Sequence, residues 1–188
     1  MVTIAQLTDA FRVPLAEMDR CVTGQCYWAL LHLAVVIPDI CSALEAANGK
    51  ATKAGYINWC QRMFPPAPPA PLTPIERYEI RCIVLHQGRT LASKGRYTYY
   101  KFVPPSPPDV KAHGVQMASD QITLGVVEMS EETKRALKDW FQDLQDPAET
   151  QRRARVAQNL PTLVTLKVQP LPGIGGFLMN VTHTSTST

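Results

Sequence analysis

Apolar residues recur at helical spacing over the first 22 positions of the chain. This stripe covers about five turns of an amphipathic helix, and its members are Ile4, Leu7, Phe11, Leu15, Met18 and Val22. Pro14 falls inside the pattern. Because proline removes a backbone donor and its ring clashes with the preceding turn, we expect a kink, or a division into two helices, near residues 12–13.

The next stretch, residues 24–37, is apolar on most faces. Such a helix belongs at the centre of a bundle. Pro38 then predicts a break, after which Asp39 would serve the first turn of a shorter helix over residues 40–47, where a carboxylate is favourable. A further amphipathic helix is predicted over residues 51–64.

Residues 65–71, PPAPPAP, contain five prolines. This composition predicts a stiff polyproline II connector. The segment is either a spacer that lets the following helix pack back on the bundle, or a ligand for a proline-binding domain.

The strongest helix signals stand in residues 72–89, LTPIERYEIRCIVLHQGR. Thr73 and Glu76 form a capping box, and Pro74 occupies the first helical position. Gly88 is placed to end the helix. Seven apolar residues lie between these signals, and we therefore expect the helix to be buried. Arg81 and His86 stand among them, and residues of these types are rarely buried without a partner or a purpose.

The hydrophobic period changes beyond the glycine. Strands are predicted over residues 96–103 and 121–128, the second in a hairpin-like arrangement with a short piece near residues 115–118. Ser130 reads as the N-cap of a helix to about residue 144, with Trp140 flanking its inward face. Later predictions are a helix from Pro147 to Asn159, a last strand over 163–168, a loop over 170–176 and a frayed polar tail.

Composition narrows the class of protein. The chain has 188 residues, 45% hydrophobic and 19% charged, with a net charge of +3 and a pI of about 8.6. This is a globular composition whose mild basicity is compatible with RNA. The longest apolar run, residues 29–37, is too short for a membrane span, and no signal peptide is evident, so we expect a cytoplasmic protein. Arg152, Arg153 and Arg155 are either a phosphate-contacting cluster or a solvated helix face.

The chain has five cysteines, all in its first half. Neither their spacing nor the histidines complete a zinc site, and we expect no metal and no cofactor. We interpret the cysteines as reduced, small core residues. They are Cys21, Cys26, Cys41, Cys60 and Cys82.

Arg81 and His86 of the capped helix are separated by four residues. This spacing resembles the Arg-x4–6-His signature of the HEPN superfamily. The resemblance covers the helical N-terminal part, about the first half of the chain. It implies a small helical bundle and, by the activity of many members, a metal-independent ribonuclease whose motifs meet at a dimer interface. The residue after the arginine is usually polar in active members, whereas Cys82 stands here.

The chemistry that the resemblance implies suits these two residue types. A metal-independent ribonuclease makes the RNA 2′-hydroxyl attack the adjacent phosphate. His86 would supply the general acid or base, and Arg81 would hold the phosphate and stabilise its developing charge. Acidic residues of an early helix, here Asp39 and Glu45, also occur facing this helix in HEPN-like domains. On an ideal α-helix the Arg81 and His86 directions lie about 140° apart. Either the long arginine curls around the helix, or the helix is distorted near Gly88, or a second chain completes a split site.

A structural interpretation stands beside the catalytic one. Arg81 can form a buried ion pair with Asp39 or Glu45, and His86 can interact with the dipole at the helix C-terminus. The chain would then be a non-enzymatic interaction module that binds a protein or a small ligand.

Together these patterns predict an α+β, mainly α fold. Residues 1–90 would form a HEPN-like helical bundle. Residues 91–188 would add a small antiparallel β element and C-terminal helices, packed on the same domain. The expected function is RNA binding or cleavage, of a defence or toxin kind. The expected partners are RNA, a second copy of the chain in a homodimer, and an antitoxin or other protein.

Overall fold

A computed structural model describes residues 2–64, 72–87, 90–91, 95–105 and 112–163, together with the backbone of 165–170 and 177–182. The predicted proline spacer and Gly88 lie outside these residues. The helices are α1 (Ile4–Thr23), α2 (Tyr27–Glu45), α3 (Lys53–Met63), α4 (Pro74–Cys82), α5 (Val126–Asp143) and α6 (Thr150–Asn159). A π-helical segment, Ile83–Gln87, continues α4. The strands are β1 (Tyr99–Val103), β2 (Val115–Ala118), β3 (Gln121–Gly125), β4 (Thr165–Pro170) and β5 (Phe177–Thr182).

The predicted class, α+β and mainly α, is confirmed, but the main sheet is mixed. Its strand order is β1-β3-β2, with β2 antiparallel and β1 parallel to the central strand. The prediction of a purely antiparallel element is therefore wrong for β1. The last of the three strands, β3, lies between the other two and runs antiparallel to β2 and parallel to β1. β4 pairs with β5 in a separate antiparallel hairpin, and β5 takes in the first residues of the predicted tail.

The first helix is not divided at its proline. α1 runs through Pro14, and a capping box between Thr3 and Gln6 begins it. An internal proline costs about 3 kcal/mol. The free energy gained by burying the apolar stripe outweighs a loss of that size, because three large side chains are completely buried: Leu7, Phe11 and Met18.

The predicted break at Pro38 is also wrong, because α2 continues through it. Proline has no N–H for the carbonyl of the residue four positions earlier, which is Ala34. The Thr133 hydroxyl of α5 donates to that carbonyl instead, at 3.2 Å. The Tyr56 hydroxyl of α3 lies 3.5 Å from the neighbouring Val35 carbonyl. Neighbouring helices thus satisfy the backbone that the proline disturbs.

The helix predicted to have Ser130 as its N-cap begins five residues earlier. β3 ends at Gly125, the N-cap of α5, and Val126 is already helical. The predicted strand over 121–128 is correspondingly too long. Ser130 is fully buried, and its hydroxyl donates to the Val127 carbonyl at 2.8 Å, which is a bond within the helix rather than a cap.

Among the residues that the structure describes, two hydrophobic clusters make up the core, and each contains residues from before and after position 90. The first joins α1, α2, α3, α5 and α6 around aromatic rings, with centroids 6.0 Å apart for Phe11 and Trp140 and 6.5 Å for Trp59 and Trp140. The second places the sheet against α2, α4 and α5. Trp140, predicted to flank the core, is fully buried within it.

The expectation that no apolar stretch is long enough for a membrane span does not hold for α2. Because it continues through Pro38, this helix is long and apolar enough by length and composition, with a mean hydropathy of 1.6 over its most apolar stretch. Half of that stretch is buried inside the protein. The same burial is found in the central helix of a soluble bundle, and it is compatible with a soluble protein.

Candidate functional site

The candidate site lies where α4 passes into the π-helical segment. The predicted capping box fixes the start of α4: Thr73 accepts from the Glu76 backbone N–H at 3.2 Å, and Glu76 accepts from the Thr73 N–H at 2.7 Å. Arg81 lies in the last turn of the helix, and His86 lies in the π-helical segment. Such segments occur mostly as single turns inside helices, often at functional sites.

The π-helical segment brings Arg81 and His86 together. A guanidinium nitrogen of Arg81 (Nη1) lies 2.7 Å from Nε2 of His86. In a π-turn the backbone bonds join residues five apart, so the chain rotates less per residue than in an α-helix. Five residues therefore return almost to the same face, whereas an ideal α-helix would separate the pair. The distortion expected from the spacing is present, within one chain.

The contact favours one tautomer of the neutral imidazole. An arginine N–H can only donate, so in the neutral form Nε2 of His86 accepts and the proton lies on Nδ1. His86 is exposed, and Arg81 is mostly buried, with 19% of its side chain accessible. The site thus presents an accessible imidazole beside a largely buried guanidinium.

Asp39 holds the other side of the guanidinium. Its Oδ2 accepts from Nε of Arg81 at 2.6 Å, and 15% of the Asp39 side chain is accessible. Burial lowers the pKa of Arg81, but the hydrogen bond to Asp39 and its negative charge outweigh that effect, so the pKa lies above its ordinary value. Asp39 therefore keeps the arginine charged and oriented.

Glu45, the other predicted supporting residue, is not brought to Arg81. It belongs to a separate cluster at the end of α2, in which it accepts from Arg62 at 2.6 Å and from the Trp140 indole N–H at 2.7 Å. Nε of Arg152 lies 3.1 Å away. Glu45 and Asp39 stand six positions apart on α2, so a helix separates them by about 9 Å along its axis.

Cys82 and Tyr78 flank the arginine, a neighbourhood that the sequence interpretation did not anticipate. A hydrogen bond with Cys82, then burial, raises the pKa of Tyr78. Cys82 also interacts with the Arg81 guanidinium. The position after the motif arginine thus contacts the site through a thiol. Tyr78 and Cys82 stand four positions apart, which makes them neighbours on one face of a helix, so their spacing in the sequence could have predicted the contact.

A second polar cluster, also missed, links Arg77, Glu132 and His113. Glu132 accepts from Arg77 at 2.8 Å and from His113 Nε2 at 3.1 Å. Burial raises the pKa of Glu132, but the His113 hydrogen bond and the Arg77 charge outweigh it and lower the pKa to about 2. His113 Nδ1 accepts from the Gly125 N–H at 3.2 Å, at the start of α5. Nothing in the sequence spacing links these three distant residues.

The arginines of α6 are not one basic surface. Arg152 forms ion pairs with Glu45, Asp143 and Glu149 and has 13% of its side chain accessible. Arg153 is half-buried and Arg155 is exposed. The phosphate-contacting interpretation is therefore weakened, since at least one of the three arginines is neutralised inside the protein.

Within the described ranges, no group of three or more histidine, cysteine, aspartate or glutamate side chains is arranged to hold a metal ion. A cavity beside Pro38, lined by Tyr56 and Arg77 among others, has a volume of about 10 Å³. This is room for no more than a water molecule.

In comparisons with protein-family models, with curated proteins and with solved structures, nothing matches this chain.

Proposed function

We propose that this protein is a HEPN-like, metal-independent RNA-binding or RNA-cleaving protein. One observation carries the proposal: Arg81 contacts His86 across the π-helical segment while Asp39 holds the guanidinium from behind. An imidazole beside an oriented cation is the equipment that this reaction requires.

Each residue has a role in the proposed reaction. His86, in its neutral form, takes the proton of the RNA 2′-hydroxyl on Nε2, which becomes free when the Arg81 guanidinium turns from this nitrogen to the phosphate. Arg81 stabilises the charge that develops on the phosphate as the hydroxyl attacks it. Asp39 positions the guanidinium and does not touch the substrate. The bond to the 5′-oxygen breaks, and that oxygen takes a proton from an acid.

A single pair supplies one imidazole, whereas the reaction uses both an acid and a base. A second copy of the chain would supply another Arg81 and His86, and the proposal therefore includes a homodimer with a shared cleft. A role in a defence or toxin system, with an antitoxin or another protein as partner, is part of what the resemblance implies. The proposal also keeps the cytoplasmic location expected from the sequence.

The test is cleavage of a mixed RNA pool in the presence of EDTA. Wild type is compared with His86→Ala, Arg81→Ala and the exposed control Arg12→Ala, whose side chain is 72% accessible. Circular dichroism checks the fold of each, and RNA binding is measured in parallel by fluorescence anisotropy. Cleavage by wild type and Arg12→Ala, lost in the two folded site variants, is the expected result. The proposal would be overturned if the folded wild type neither cleaved nor bound RNA.

The alternative, a non-enzymatic interaction module, is favoured by the Arg81–Asp39 ion pair. At 2.6 Å and largely shielded from solvent, this pair joins α2 to α4 and can serve stability alone. In that case Arg81→Ala unfolds the protein, His86→Ala leaves it folded, and the folded wild type does not cleave RNA.

A further inference from the structure

Two cysteines flank the turn between α1 and α2. Cys21 is half-buried on the last turn of α1, and Cys26 is exposed immediately before α2. The prediction that the cysteines are core residues is confirmed for Cys41 and Cys60, which are buried. It is wrong for Cys26, because the turn takes this residue off the helix and into solvent.

The turn has the hydrogen bonds of a Schellman motif. The Cys26 N–H donates to the Cys21 carbonyl at 2.8 Å, and the Gln25 N–H donates to the Val22 carbonyl at 3.2 Å. Gln25 has a φ of 56°, the left-handed conformation that this motif requires. Cys21 and Cys26 occupy the two positions whose side chains characteristically contact each other in such a turn.

The backbone bond between the two residues limits their separation. With standard bond lengths, a 2.8 Å bond from the Cys26 nitrogen to the Cys21 oxygen keeps their Cα atoms within about 6.7 Å of each other. Disulfides span Cα distances up to about 6.8 Å. The Cys26 thiol points back over the turn, with Sγ 3.5 Å from the Gly24 carbonyl oxygen. Burial first, and then the neighbouring Cys26, raises the pKa of Cys21, which agrees with two thiols in proximity.

We propose that Cys21 and Cys26 form a redox modification site, a dithiol that a peroxide converts into a disulfide across the α1–α2 turn. The proposal is independent of the function of Arg81 and His86.

The reaction starts at the exposed thiol. The sulfur of Cys26, as thiolate, attacks one oxygen of the peroxide. The O–O bond breaks, hydroxide leaves and takes a proton to become water, and Cys26 becomes a sulfenic acid. The sulfur of Cys21 then attacks that of Cys26, so that the S–S bond forms and the S–O bond breaks. The departing oxygen leaves as water with the Cys21 proton, and a thiol reductant reverses the product.

The test uses the folded full chain treated with hydrogen peroxide. Free thiols are blocked, the protein is reduced, newly released thiols carry a second label, and peptide mass spectrometry locates that label. Wild type is compared with Cys21→Ser and Cys26→Ser, and with Cys82→Ser as a matched control at another half-buried cysteine. Circular dichroism confirms that each variant is folded.

The expected result is joint loss of the Cys21 and Cys26 thiols, fully recovered by reductant, in both wild type and Cys82→Ser. In Cys21→Ser, Cys26 has no resolving partner and proceeds to a sulfinic acid that the reductant does not recover. Gln25→Val, which opposes the left-handed conformation, should slow the pairing, whereas Gln25→Gly should preserve it.

Two outcomes would overturn the proposal. One is a wild type in which Cys26 reaches the sulfinic acid as fast as in Cys21→Ser. The other is a disulfide that forms only after denaturation in urea, which would mean that the folded turn holds the sulfurs apart.

Discussion

The hydroxyl of Thr133 donates a hydrogen bond to the backbone carbonyl of Ala34, at 3.2 Å, across the contact between α5 and α2. This carbonyl is available because Pro38, four positions later in α2, has no N–H to give it. Both Thr133 and Ala34 are buried, so the carbonyl is shielded from bulk water. The two residues explain how a helix at the centre of the bundle carries an internal proline.

Removing the Thr133 hydroxyl should destabilise the protein. Thr133→Val keeps the shape of the side chain but leaves the Ala34 carbonyl buried without a donor, at a cost of about 1–3 kcal/mol. Thr133→Ser should keep most of the stability, because it keeps the donor. Urea denaturation followed by circular dichroism measures both free energies of unfolding.

The same mechanism predicts coupling between Thr133 and Pro38. Pro38→Ala restores the helical N–H, so Thr133→Val should cost much less in that background than in wild type. A double-mutant cycle measures the difference. Equal costs in the two backgrounds would show that the hydroxyl does not substitute for the missing backbone donor.

Glu132 should make stability depend on pH in the acid range. Its pKa is about 2 in the folded protein, against an ordinary value of 4.5. A carboxyl group whose pKa is lowered by folding stabilises the protein above its unfolded pKa, and that contribution disappears as the pH falls through the folded pKa. The difference in unfolding free energy between wild type and Glu132→Gln should therefore be largest at neutral pH. It should decrease as the pH falls from 4.5 to 2.

The size of this effect is on the order of 3 kcal/mol at neutral pH. The neighbouring Glu131 provides the control, since its side chain is 53% exposed and pairs only with Lys134 among the described residues. Glu131→Gln should change stability little at any pH in this range. A loss of the same size in both variants would contradict a special role for Glu132.

Glu45 should matter for stability and not for chemistry at Arg81. Glu45→Ala leaves the buried Trp140 indole N–H without its acceptor, at a cost of about 1–3 kcal/mol, whereas Arg152 keeps Asp143 and Glu149 as partners. Glu45→Gln retains an acceptor for Trp140 and should cost less. If the proposed RNA cleavage exists, the folded Glu45→Gln protein should keep it, while Asp39→Asn, which loosens Arg81, should lose most of it.

The contact with Arg81 should select one tautomer of neutral His86. Nitrogen NMR at alkaline pH should find the proton on Nδ1, because Nε2 accepts from Arg81 at 2.7 Å. Arg81→Ala should release this preference and populate both tautomers. A proton on Nε2 in folded wild type would contradict the contact.

Local signals predicted the start of α4 correctly. The capping box of Thr73 and Glu76 depends on residues three apart, and short-range chemistry decides such a structure. The same local rules failed at Pro38, because the donor that rescues α2 comes from Thr133, 99 positions away in the chain. They failed again at Ser130, a residue type suited to a cap, whose complete burial on α5 is decided by packing.

The candidate site was predictable in its members and not in its geometry. Arg81 and His86 stood out as polar residues in an apolar helix, but an ideal helix would have separated them. Asp39 was one of two acidic candidates, and the sequence had no means to choose it over Glu45, since both lie on α2 among apolar neighbours. The choice depends on how far along α2 the end of α4 crosses, which is a tertiary property.

The junction between β3 and α5 has no connecting residue, because the strand ends at Gly125 and the helix starts at Val126. A single residue inserted there could not be absorbed by a loop. It would turn α5 by about 100° about its axis, relative to the sheet. Trp140, Thr133 and Glu132 would all leave their partners at once. Changes in chain length should therefore be rarer at this junction than at any turn on the protein surface, and a library of single-residue insertions would locate it as the position with the steepest loss of folded protein.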